Sequence, residues 1–81
     1  MQTYILIQAM PTADLTELIR EVAPMQGIEL TEAVTGPYDL IVKARTEEAG
    51  DLLAALVELD GVLRVIDAPV VGARGREPAS A

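Results

Sequence analysis

Thr35-Gly36-Pro37-Tyr38-Asp39-Leu40-Ile41-Val42 joins a rigid turn to a strand nucleus, and the rest of the chain falls into order around that junction. Gly36 can take φ > 0, Pro37 fixes φ at about −65°, and Asp39 can accept from nearby backbone N–H groups. Leu40, Ile41 and Val42 are aliphatic, and two of them are β-branched, which suits a pleated strand. Read by itself, the segment is a turn leading into a strand. A rigid polar turn feeding a buried strand is also a common way of holding side chains at a site, so binding is the second reading.

Working outward, Gly27 to Val34 puts Ile28 and Leu30 on one face and Glu29 and Thr31 on the other, a half-exposed strand. With a strand over Tyr38 to Ala44 it reads as a hairpin with a short Thr-Gly-Pro loop. Before it, Leu15, Leu18, Ile19, Val22 and Ala23 recur at helical spacing, with Glu17, Arg20 and Glu21 outward. Asp14 is the expected N-cap, with Glu17 in the capping-box position, and Pro24 closes the helix. Tyr4 to Gln8 is a strand apolar on both faces, so both faces need cover.

Beyond the hairpin, Thr46 is the expected cap of a second helix, and Glu47, Glu48 and Asp51 complement its N-terminal dipole. Ala49, Leu52, Leu53, Leu56 and Leu59 form its apolar stripe, Gly61 ends it, and Val62 to Ala68 is a last strand limited by Pro69. Residues 72–81 carry no apolar periodicity and are expected to be a mobile tail on a domain spanning residues 1–71.

The order is β-α-β-β-α-β, and the helix-to-glycine-to-strand pattern recurs 34 residues apart, at Gly27 and Gly61. Right-handed crossovers place both helices on one face of a four-stranded antiparallel sheet. This is an α+β fold, the ferredoxin-like plait. Its other sheet face is bare, yet either Tyr4 and Leu6 or Ile5 and Ile7 must point there. In the last strand, Leu63 and Val65 stand against Val62 and Ile66 in the same way. An apolar patch of that size predicts that two copies pack sheet to sheet, as a dimeric α+β barrel.

Composition narrows the functions. With 13 acidic and 6 basic residues the net charge is −7, which argues against direct nucleic-acid binding, since that needs clustered Lys and Arg. Hydrophobic residues make up 51% of the chain while Tyr4 and Tyr38 are its two aromatics, so the core is aliphatic and self-association is the outlet for the excess. Cys and His are both absent, removing thiolate sites, the commonest general base and the commonest zinc ligand. No cofactor is implied. Asp39 and Asp67 lie beside apolar strand segments and could in principle do acid–base work or hold Mg²⁺, but nothing fixes their separation. No catalytic residue is assigned, and the chain is read as a non-enzyme. The N-terminus lacks a signal-peptide pattern and no apolar run approaches a membrane span, so a cytoplasmic location is expected.

Three segments resemble the effector-binding domain of the Lrp/AsnC transcription regulators: Tyr4-Ile5-Leu6-Ile7-Gln8, Val34-Thr35-Gly36-Pro37-Tyr38-Asp39-Leu40-Ile41-Val42-Lys43-Ala44, and Gly61-Val62-Leu63-Arg64. The resemblance covers about residues 3 to 71, and the middle motif is its specific part. It implies a ferredoxin-like domain that dimerises sheet to sheet, with dimers assembling further and amino acids or related metabolites bound in crevices between dimers. On that resemblance Thr35, Gly36, Tyr38 and Asp39 are the ligand-binding positions. Turn N–H groups would hold a carboxylate, and Asp39 an ammonium.

Two departures stand beside it. Met1 is followed at once by the first strand, so the form expected is one without the family's helix-turn-helix. After Gly-Val-x-Arg the family often has Thr-x-Thr, where this chain has Val65-Ile66-Asp67. The reading that results is a small-molecule-binding, oligomer-forming domain without DNA binding of its own, acting on full-length regulators by co-assembly. The alternatives are a small dimeric α+β-barrel enzyme and a purely structural assembly module.

Overall fold

The computed structural model describes residues 1–72. Its elements are β1 (Gln2–Ala9), α1 (Leu15–Val22), β2 (Ile28–Ala33), β3 (Leu40–Arg45), α2 (Ala49–Val57) and β4 (Val62–Pro69). The strands form one antiparallel sheet in the order β2-β3-β1-β4, the ferredoxin-like α+β plait. The expected tail lies, from residue 73 on, outside the described residues. Among the described residues no helix is long and apolar enough to cross a membrane.

β1 runs through the centre and settles which residues go inward. Thr3, Ile5, Ile7 and Ala9 are buried under the helices, as are Leu40, Val42 and Ala44 of β3. Leu18 and Val22 of α1 and Leu52 and Leu56 of α2 close over them from above. Ile5, Ile7, Leu40, Val22, Val42 and Leu56 are fully buried, so this aliphatic layer supplies the main drive to fold.

The two halves repeat one junction. Ile28 N donates to Met25 O, and Gly27 O accepts from Arg45 N at the end of β3 (2.8 Å). Val62 N donates to Leu59 O, and Gly61 O accepts from Met10 N just past β1 (2.8 Å). Each glycine thus ties the start of one strand to the end of its neighbour. Both sit at positive φ, +92° and +91°, where a side chain is strained.

Several local expectations change. Asp14 does cap α1, accepting from the N–H groups of Thr16 (3.0 Å) and Glu17 (3.4 Å). Glu17 does not reach back to complete a capping box; its carboxylate pairs with Arg20 at 3.3 Å. Thr46 is not the cap of α2. That position is Glu48, and the Thr46 hydroxyl accepts from Glu48 N (2.9 Å) in a turn upstream, because the chain bends there before it coils. The β2–β3 connection runs from Val34 to Asp39, longer than a Thr-Gly-Pro loop.

Irregular register also redistributes faces. Ile28 lies opposite Ala44 but Leu30 opposite Lys43, so a bulge at Glu29 splits the pair that simple alternation would keep together. Thr31 then joins Ile28 on the helix side and Leu30 goes to the open side. In β4 the shift sets Val62 opposite Ala9 and Arg64 opposite Gln8, with Leu63 the extra residue. Val62, Val65 and Asp67 therefore face the helices, and Arg64, Ile66 and Ala68 face away.

Gly61 and Gly50 make opposed tests. A Cβ on Gly61 meets Ala13 Cβ at 3.1 Å on a left-handed backbone, whereas Gly50 sits in α2 with nothing within 4 Å. Gly61→Ala is expected to lower unfolding free energy by about 1–3 kcal/mol, and Gly50→Ala to raise it by about 0.4–1 kcal/mol, read from urea melts.

Candidate functional site

The Val34–Asp39 connection is pinned at both ends. Val34 N donates to Asp39 O (2.9 Å), and Asp39 N donates to Ile7 O (2.9 Å). The Asp39 carboxylate then accepts from Ala9 N through Oδ2 at 2.7 Å, taking the place of the backbone acceptor that β3 no longer supplies beyond Leu40. One side chain thus fixes the end of β1 to the start of β3. Between the pins, Thr35, Gly36 and Pro37 are exposed, Tyr38 is half-buried, and Gly36 holds φ at +131°.

The four residues singled out from sequence are therefore together in one rigid turn, at the end of the sheet shared by Ala9, Leu40 and Ala33. Their chemistry is uneven. Asp39 has a structural task for one of its oxygens. Thr35 and Gly36 present backbone and a hydroxyl to solvent, and Tyr38 presents a phenol from a half-buried ring.

Asp67, the other carboxylate beside an apolar strand, does not join them. It lies on the helix side of β4 opposite Ile5 and accepts from the buried Thr3 hydroxyl. Central strand β1 separates the two acids, and each is committed to a partner of its own. Among the described residues no group of three His, Cys, Asp or Glu side chains is placed to hold a metal ion.

The face away from the helices adjoins the turn. Direct pairing lines up Ile41, Leu6 and Ile66 in one row, with Glu32 at its β2 end, and Leu30, Lys43, Tyr4 and Ala68 in the next. Tyr4 and Leu30 are 42% and 48% exposed, large values for an aromatic and a leucine in mid-strand. Of the two alternatives the sequence left open, Tyr4 and Leu6 are the pair on the bare face. Leu30 and Ile41 complete it and were not picked out from sequence, since the bulge at Glu29 hides the parity of Leu30.

Surface depressions lie elsewhere. One formed by described residues is lined by Met25, Gly27, Arg45, Thr46, Asp51 and Leu52, and a second by Met10, Ala13, Asp14, Glu17, Glu21 and Asp60. Neither takes a residue from Thr35 to Asp39.

No protein-family model matches the sequence, and no curated protein matches it. Solved structures do. TTHA0845 from Thermus thermophilus matches with a TM-score of 0.82 at 25% identity, over 93% of this chain and 98% of that one. FFRP-DM1 matches at 0.66 and 23% identity, over 82% of this chain and 92% of that one. MtbAldR matches at 0.76 and 14% identity, over 93% of this chain but 54% of its own. The likeness is one of fold.

The Asp39 pin is testable on its own. Asp39→Ala leaves the Ala9 N–H without its acceptor and is expected to cost about 1–3 kcal/mol in a urea melt. Asp39→Asn keeps a carbonyl oxygen and should cost clearly less.

Proposed function

We propose that this chain is a small-molecule-binding assembly domain of the Lrp/AsnC regulator type, working by linkage between ligand binding and oligomer state. The observation that carries it is the bare sheet face: among the described residues nothing covers the row Ile41–Leu6–Ile66, with Tyr4 and Leu30 beside it, next to a pinned turn. Two copies pack these faces together and bury the row. The turn then stands at the rim of the contact, and further assembly of dimers makes the crevice that a single chain lacks. The ligand is an amino acid or related metabolite, favouring one assembly state over another through its different affinity for each.

Two supports stand behind the family reading. The middle motif Thr35-Gly36-Pro37-Tyr38-Asp39 resembles the family's ligand turn, and the structural neighbours include FFRP-DM1, an Lrp/AsnC-type regulator. On this reading the chain is not an enzyme, resides in the cytoplasm, and exerts its effect by co-assembling with full-length regulators rather than by touching DNA. The purely structural module is the second reading, favoured by the Asp39 carboxylate already being bonded within the fold.

Sedimentation at micromolar concentration is expected to give a dimer or larger species for the wild-type chain. Leu6→Asp places a charge in the middle of the bare face without entering the core, and is expected to give a folded monomer; a wild-type monomer overturns the reading. Thermal shift with each amino acid, read beside native mass, tests the ligand. A binder at about 100 times Kd adds ~2.7 kcal/mol, and a shift that also changes mass supports linkage. No shift with any amino acid at millimolar concentration favours the structural module.

A further inference from the structure

We propose that Arg64, across the end of β1 from Asp39, anchors the carboxylate of the amino-acid ligand. The proposal rests on the effector reading above and deepens it.

The argument begins with charge. The chain is strongly acidic, but the acid is not spread evenly. Asp14, Glu17, Glu21, Glu48, Asp51 and Glu58 all lie on the two helices or their caps. Among the described Lys and Arg side chains only Arg20 is helical. Lys43 and Arg64 are paired by register with Tyr4 and Gln8, and Arg45 with Gln2, so all three belong to the bare sheet face. Glu32, opposite Ile41, shares that face but stands on β2, at the sheet edge remote from Arg64. Three of the four described Lys and Arg side chains thus stand on the sheet face away from the helices. Arg45 is held by Glu29, and Lys43 stands on the far side of the Ile41–Leu6–Ile66 row from the turn, whereas Arg64 stands beyond that row on the turn side, at the rim of the proposed contact.

Within that set Arg64 is distinct. Arg20 is paired with Glu17 and Arg45 with Glu29, while among the described residues Arg64 has no ion-pair partner. Acids outnumber bases about two to one (13 against 6), so an exposed guanidinium with no carboxylate beside it is set apart by position, not by scarcity of partners. Lys43 is also without one, but it lies opposite Tyr4, further from the turn.

Position supplies the second half. Arg64 stands opposite Gln8 on the β4 side of β1. The next residue of β1, Ala9, donates its N–H to Asp39 Oδ2 on the β3 side. The end of β1 therefore has a guanidinium on one flank and a carboxylate on the other, with the Gln8 amide between. An α-amino acid carries the complementary pair. Its carboxylate matches the planar two-donor fork of Arg64, its ammonium takes Asp39 Oδ1, and its side chain is left to the turn and to a second copy for selection. This also relieves the turn backbone of the need to hold the carboxylate alone.

The experiment uses the full chain, with each proteinogenic amino acid and its α-carboxamide as probes, read by thermal shift and then by titration calorimetry. The expected result is that the amino acid that binds wild type loses at least tenfold in affinity as its carboxamide. It should lose at least tenfold again on acid binding in Arg64→Gln, with partial recovery in Arg64→Lys and an unchanged native mass in both variants. An amino acid that binds wild type and Arg64→Gln alike, or equally as acid and carboxamide, overturns the Arg64 assignment and leaves the effector reading standing. A wild-type chain that binds no amino acid overturns both together.

Discussion

A β-strand sends alternate side chains to opposite faces of its sheet, and in β1 both sets are apolar. Thr3, Ile5, Ile7 and Ala9 meet the helices; Tyr4 and Leu6 meet no covering layer among the described residues. The described residues form two helices, both needed on the same side, so no rearrangement of these elements covers the second face. Sliding β1 by one residue would exchange the faces without removing the problem, and would bring Tyr4 under the helices in place of Ile5. Much else follows from this constraint, including why a chain with so much aliphatic surface remains unfinished as a single copy.

Asp39 works at the boundary of that face. The hydrogen bond from Ala9 fixes the turn against the end of β1, and the turn's position relative to the bare face is thereby set by a side chain rather than by loop length. A six-residue connection held only at its ends would sample many shapes; one pinned at Val34, Asp39 and Ala9 presents Thr35 to Tyr38 in one arrangement. The same carboxylate that the family resemblance gives to a ligand is thus first a fold residue. The two uses are compatible because a carboxylate has two oxygens, and the backbone claims one.

The plait was legible because its signals agree: the helical spacing of Leu15, Leu18 and Val22, the Asp14 cap, the aliphatic run at Leu40 to Val42, and the matching glycines at 27 and 61. What failed was parity. Alternation assigns faces only while the register is regular, and the bulges at Glu29 and Leu63 each insert a residue that no local composition announces. That is why Leu30 was placed with Ile28, and why the partners of Ile66 were misjudged. The choice between Tyr4 with Leu6 and Ile5 with Ile7 was open for a different reason: all four are apolar, so hydropathy carries no sign. Thr46 misled because a hydroxyl serves a turn as well as a helix start. Thr35, Gly36, Tyr38 and Asp39, named from the family resemblance, lie in one turn, as their adjacency in sequence requires. Arg64 gained meaning only from strand pairing, which puts it across from Gln8 although 56 positions separate them.

The central claim is that the bare face is covered by a second copy. Since the chain has no cysteine, a single spin label can be introduced at Ala68→Cys on that face or at Glu21→Cys on the outer side of α1, and intermolecular distances compared by pulsed dipolar spectroscopy. Facing sheets lie about 10 Å apart, so labels at position 68 should give a defined distance shorter than that from position 21. A longer distance from position 68 than from position 21, or no dipolar coupling from either, would contradict the account.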